Sequence, residues 1–217
     1  MQISPVNNTN FQARNQTIRF ADDIARHVNK CYPRISATKI ASFESASCFP
    51  ECLENLTKRI KESVRDERNN LYDDSYSFLD KIKSFIKPIK KNRVGNCAES
   101  AQLSTIAAKV NGIKDCHLAH LYNIKGEDFD HTVVFVNEEK PFIIDAWLGF
   151  ADYVPKALER YKNEYNYIFE AKPEEKLTFL SYTDDEYTCF LKDNFTRSQI
   201  NKIKKIFPEM FIRRGYV

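Results

Sequence analysis

The chain has 217 residues, 42% of them hydrophobic, 13% aromatic and 29% charged. A chain of this length buries roughly 70% of its unfolded surface and suits one domain that needs no disulfide or metal staple; so many aromatics, with only 5 glycines, exclude collagen, a coiled coil and full disorder. The net charge of +3 is split, 18 Lys+Arg against 12 Asp+Glu over residues 1–110 and 15 against 18 over 111–217, and neither half is basic enough to predict nucleic-acid binding.

No run reaches the roughly 18 apolar residues of a membrane span. Residues Met1 to Asn10 lack the charged and apolar regions of a secretory signal. The chain is therefore expected in the cytoplasm, or exported without a cleaved leader. Residues 1–16 are polar and predict a flexible lead-in. From Thr17 to Lys30, Ile18, Ala21, Ile24, Ala25 and Val28 have helical spacing. A loop is expected over 33–48. A longer helix is predicted over Pro50–Asn69, with Leu53, Leu56, Ile60 and Val64 on one face. Another, over Asp74–Ile86, should stop near Pro88.

The basic stretch from Lys87 to Arg93 should join this helical region, residues 17–92, to the remainder, 93–217, in one continuous domain. With Ile82, Phe85, Ile86 and Ile89 between its charges, segment 81–93 could form an amphipathic basic helix with weak contact to an anionic surface. A helix over Cys97–Asn111 ends at Gly112. Strands are predicted near 116–124, 131–136, 141–146, 166–170 and 176–182, with a helix at 155–164 among them. One more helix and a basic tail close the chain. Helices followed by mostly antiparallel strands make an α+β pattern.

Six cysteines stand at 31, 48, 52, 97, 116 and 189, with no C-x-x-C pair, which fits reduced thiols better than a disulfide framework. Cys97 stands apart. Asn96 is a good N-cap and Glu99, three residues on, completes a capping-box pattern that shapes the turn. Cys97 is then the first helical residue, where free N–H groups and the helix dipole favour a thiolate. A nucleophilic thiol needs a base, and the base an orienting group. His131 opens the strand Thr132–Val136, and Asp145 closes the strand Phe142–Ile144. A turn centred on Glu138 sets the two directly opposite one another on one face. Cys116, His117 and His120 lack a fourth ligand at zinc spacing, so neither a metal nor another cofactor is expected. His27 reads as a surface or packing residue. Trp147 shares the face of Asp145 and would shield the pair from water or pack in the core.

Gly95-Asn96-Cys97-Ala98-Glu99, Asp130-His131-Thr132-Val133-Val134-Phe135-Val136 and Ile143-Ile144-Asp145-Ala146-Trp147-Leu148-Gly149 resemble the core of the papain-like and transglutaminase-like cysteine enzymes. The gaps, 34 residues from Cys97 to His131 and 14 from His131 to Asp145, are more similar to the transglutaminase-like branch. The pattern is also similar to cysteine protease and deamidase effectors of bacteria that interact with hosts. Arg93, Gly95, Cys97 and Glu99 further match the Arg-x-Gly-x-Cys-x-Glu pattern of arylamine N-acetyltransferases, although Val94 stands where those have glycine. The resemblance covers about residues 93–153. It implies a Cys-bearing helix packed on an antiparallel sheet that carries His and Asp. It implies a Cys97–His131–Asp145 triad working on amide bonds of a protein substrate, as peptidase, deamidase or acyl transferase. The Cys97 N–H, with Asn92 or Asn96, would hold the oxyanion. The alternatives are a non-catalytic binding module on the same fold and a small-molecule acyl transferase.

Overall fold

The computed structural model describes residues 8–34, 36, 55, 58–59, 62, 76–123, 128–169, 176–181 and 191–212. Helix α1 spans Asn8–Cys31 and α2 Phe78–Asn92. Helix α3, Cys97–Val110, leads into strands β1, Cys116–Asn123, β2, Asp128–Val136, β3, Phe142–Asp145, and β4, Phe150–Tyr153. Helix α4, Val154–Asn163, and the short α5, Asn166–Phe169, precede β5, Leu177–Ser181. Helix α6, Arg197–Ile206, and a 3-10 turn at Pro208–Met210 follow. The fold is α+β, with one antiparallel sheet ordered β4-β3-β2-β1-β5.

The central strands of the sheet are covered on both faces, and the alternation of their side chains sorts two apolar clusters. Val134, Val136, Phe142 and Ile144 face a cluster built with α1, α2, α3 and Met210. Val133 and Ile143, one residue out of phase, face a second cluster with Trp147, Phe150, and Ala157 and Tyr161 of α4. Helix α3 is buried nearly all round, and its polar residues turn inward: Ser104 Oγ donates to the Ser100 carbonyl at 2.8 Å and Thr105 Oγ1 to that of Ala101 at 2.9 Å. Cys97 is the one residue of α3 in the second cluster, so the N-terminal end of the helix reaches past the sheet to its other face.

Several expectations need correction. Helix α1 begins at Asn8, inside the polar lead-in, because extending an established helix adds one hydrogen bond per residue without a new nucleus. Helix α2 does not stop at Pro88 but runs on to Asn92. An interior proline costs about 3 kcal/mol. Burial of Ile86 and Ile89 on either side returns roughly 1.5–3 kcal/mol each. The helix ends instead at Arg93, whose left-handed conformation (φ 56°) sends its N–H to the Ile89 carbonyl. The stretch 87–93 is thus the end of a helix rather than a joint, and its apolar stripe lies in the core, leaving Lys87, Lys91 and Arg93 exposed. The strand expected at 166–170 is the helical turn α5, since tertiary packing overrides β-propensity: Ile168 packs on the second cluster and its N–H bonds back to the Tyr165 carbonyl at 2.9 Å. Strand β4 was not anticipated; Gly149, at φ 81°, turns the chain back into it. The helix over Pro50–Asn69 lies mostly outside the described residues, of which Asn55, Lys58, Arg59 and Glu62 are helical.

Two features of β2 place the site. The β2–β3 pairs are Val134 with Ile144, Phe135 with Ile143 and Val136 with Phe142. This register is two residues away from the expected one. A slip of two preserves the face, so His131 and Asp145 become diagonal neighbours rather than a direct pair. Against β1, His120 pairs with Thr132 and Tyr122 with Asp128, so Phe129, Asp130 and His131 bulge opposite Leu121. Such a bulge re-aims a side chain, here His131, at the strand's edge. Asp130 sits at its bend with φ 49°. A left-handed conformation costs an ordinary residue about 1–2 kcal/mol, and most for a β-branched one. Asp130→Val should therefore lower stability by about that amount while Asp130→Gly does not, checked by paired thermal melts.

Candidate active site

Four elements meet at the end of the sheet: the first turn of α3, the bulge of β2, the turn after β3, and α4. Cys97 is 8% exposed, and its thiol donates to the Asp130 carbonyl at 3.4 Å. The strained residue of the bulge thus supplies the acceptor. His131 and Asp145 are each only 1% exposed. His131 Nε2 donates to Asp145 Oδ2 at 2.7 Å, which leaves Nδ1 for the thiol.

Asp145 is fully engaged. Its Oδ2 also accepts from the Tyr161 hydroxyl at 2.8 Å, and its Oδ1 from the Leu148 N–H at 2.9 Å. The Gly149 N–H donates to the Asp145 backbone carbonyl at 2.7 Å, closing the turn. Burial alone would raise the carboxyl's pKa. The His131 charge, with hydrogen bonds from His131, the Leu148 N–H and Tyr161, overcomes it and holds the pKa below its ordinary value. Burial likewise works against a charged His131, but the Asp145 charge and hydrogen bond, joined by a hydrogen bond with Cys97, lift it to about 9. The rings of Trp147 and Tyr161 flank the imidazole, at 5.3 Å and 5.5 Å between centroids.

The turn into α3 is held from behind. Glu99, fully buried, accepts the Asn96 N–H on Oε2 at 2.7 Å. Asn96 Oδ1 accepts from the Ser36 hydroxyl at 2.9 Å. The Arg34 guanidinium, brought in beyond the end of α1, sits near Glu99; burial pushes its pKa down to about 10, against the pull of that carboxylate. A Cβ on Gly95 would lie 2.9 Å from Arg34 Cδ and 3.1 Å from Glu99 Cβ, so close approach demands glycine there. Of the two residues expected at the oxyanion, Asn96 is the N-cap of α3 and Asn92 is exposed at the end of α2.

The other histidines stand elsewhere. His117 pairs with Asp115 at 2.6 Å on the surface, and Cys116 beside it is buried, as strand alternation requires. His27, expected as a surface or packing residue, is half-buried near the end of α1. Its Nε2 lies 3.3 Å from Cys31 Sγ and 2.6 Å from the Glu209 carbonyl. There, burial and the Glu209 charge push the Cys31 thiol up, toward its unreactive form. Tyr161 and Arg34 were missed by sequence reasoning. Neither belongs to a local motif; each reaches the site through a tertiary contact.

The His131–Asp145 pair ties stability to pH at both ends. His131 is raised, so its contribution is whole below its ordinary value of 6.5 and is lost as pH climbs through about 9. Asp145 is lowered, so its contribution is whole above its ordinary 3.8 and is lost as pH falls through its folded value. Urea unfolding across this range should show both losses in the wild type. Asp145→Asn should show neither of these two contributions, since the charge that creates them is gone.

No helix among the described residues is long and apolar enough to cross a membrane. No curated protein and no solved structure matches the chain. A family model described as Dot/Icm T4SS effector Ceg10 matches residues 7–205. That match spans most of the 217 residues, and the chain belongs to this family of type IV secretion effectors.

Proposed function

We propose that this effector is a cysteine-dependent hydrolase or acyl transferase that acts on amide bonds of a protein in the cell that receives it. The observation that carries the proposal is the buried Cys97–His131–Asp145 arrangement, in which a thiol, a base and an orienting carboxylate stand in hydrogen-bonded order. The Cys-bearing helix beside a sheet that holds His and Asp supports a papain-like or transglutaminase-like core. Effector-family membership supplies the host target.

Cys97 gives its proton to His131 Nδ1 ahead of attack, since Asp145 lifts the imidazole to about 9 and holds the proton there, and the sulfur then adds to the substrate carbonyl carbon. Asp145 stabilises the imidazolium so formed and fixes the ring's tautomer. Negative charge builds on the carbonyl oxygen near the first turn of α3, whose N–H groups lack intrahelical acceptors. The tetrahedral intermediate collapses to a thioester when His131 returns the proton to the leaving amine. Water then releases the acid, or an amine acceptor takes the acyl group. Peptide cleavage, glutamine deamidation and transglutamination differ only in the leaving and accepting groups.

Wild-type protein and the Cys97→Ala and His131→Ala variants, each incubated with eukaryotic lysate, separate these outcomes by mass spectrometry. The wild type should produce new termini, glutamine-to-glutamate conversion or amine incorporation. Each variant should lose the modification by roughly a thousandfold or more while keeping its fold. The same modification produced by a folded Cys97→Ala protein contradicts an acyl-enzyme at this thiol.

A further inference from the structure

Tyr161 lies on α4, 16 residues beyond Asp145, and is completely buried. Its hydroxyl donates at 2.8 Å to Asp145 Oδ2, the oxygen that also accepts His131 Nε2 at 2.7 Å. One carboxylate oxygen therefore serves two donors, while Oδ1 is held by the Leu148 N–H. The ring of Tyr161 meets the His131 ring edge-on at 70° and packs against Phe150 and Phe179. Phenol, carboxylate, imidazole and thiol thus form one chain running from α4 through β3 and β2 to α3.

We propose that Tyr161 is a positioning residue of this site, whose hydroxyl fixes the Asp145 carboxylate and, through it, sets the pH range over which His131 exchanges its proton. The inference rests on the triad reading above. The groups facing His131 are Asp145 from β3, Cys97 from α3 and Tyr161 from α4; those facing Tyr161 are Asp145, Tyr165 and Arg160. A donor on Oδ2 draws off part of the negative charge that the imidazolium sees. Without it, Oδ2 is left to His131 alone, while the Leu148 N–H stays on Oδ1. The hydroxyl also stops the carboxylate from turning about its Cβ–Cγ bond. Burial and the neighbouring Asp145 push the phenol's pKa well up, so it stays a donor throughout the working range.

The test is the titration of the His131 ring by NMR in isotope-labelled protein, assigned with a His131→Asn variant. Tyr161→Phe should raise the His131 midpoint by about half a unit to one unit. Phe150→Leu, which disturbs the same ring cluster but no hydrogen bond to Asp145, should leave it in place. In an Asp145→Asn background, Tyr161→Phe should no longer produce that rise. An unchanged or lowered midpoint in folded Tyr161→Phe protein overturns the proposal, as does an equal rise in Phe150→Leu. If Tyr161→Phe fails to fold, 3-fluorotyrosine placed at position 161 gives the opposite sign: its stronger donor should lower the midpoint, and no movement overturns the proposal. The readout needs no turnover. Loss of the functional reading would appear as activity surviving Cys97→Ala, which leaves this titration to decide the role of Tyr161 on its own.

Discussion

A carboxylate taken completely out of water is the constraint around which this end of the molecule is organised. An unpaired buried charge is costly enough that the group would take up a proton instead. Asp145 remains below its ordinary pKa because each oxygen has a donor and one faces an imidazole. Each partner comes from a different element. The turn after β3 brings the Leu148 N–H, the bulge in β2 brings His131, and the return of the chain through β4 into α4 brings Tyr161. Gly149 permits the turn and Asp130 accepts the strain of the bulge. The short strand β4 and helix α4 build part of the second cluster and bring the Tyr161 hydroxyl to the carboxylate.

Helix α3 connects that carboxylate to the remainder of the fold. Most of its length is packed among α1, α2, α6 and the sheet, and only Cys97 crosses to the other cluster. A helix buried on every side has little freedom to shift. Its first turn is further pinned by Glu99, Arg34 and Ser36. The N-terminal region therefore bears on the thiol through the turn that Arg34 and Ser36 support. Residues of α1 share one core with the sheet, and the segment just beyond α1 underlies the turn that presents Cys97.

The parts legible in the sequence are those governed by local rules. Gly95, Asn96 and Glu99 mark the start of α3 because capping is a matter of three or four neighbouring residues. His131 and Asp145 fall on one face because strand alternation depends on parity. The register lies two residues from the expected one, yet parity is kept and the side chains still meet. Pro88 misled because its penalty is local whereas the burial of Ile86 and Ile89 that outweighs it is not. The strand expected at 166–170 fails in the same way: its residues prefer strands, and the packing of Ile168 on the second cluster goes with a helical turn instead. Tyr161 and Arg34 left no signal at all, since neither belongs to a local motif and each reaches the site only through a tertiary contact.

The account makes Cys97 and His131 one functional unit rather than two buried neighbours. Site-mapped alkylation tests this most directly. The folded protein is treated briefly with iodoacetamide from about pH 5 to pH 9, beside a His131→Ala variant, and all 6 cysteines are mapped by mass spectrometry. The account predicts that below about pH 7 Cys97 reacts faster than any of the others, and that His131→Ala abolishes this advantage. A Cys97 that reacts no faster than Cys31 or Cys116, or one whose rate is indifferent to His131, would contradict it.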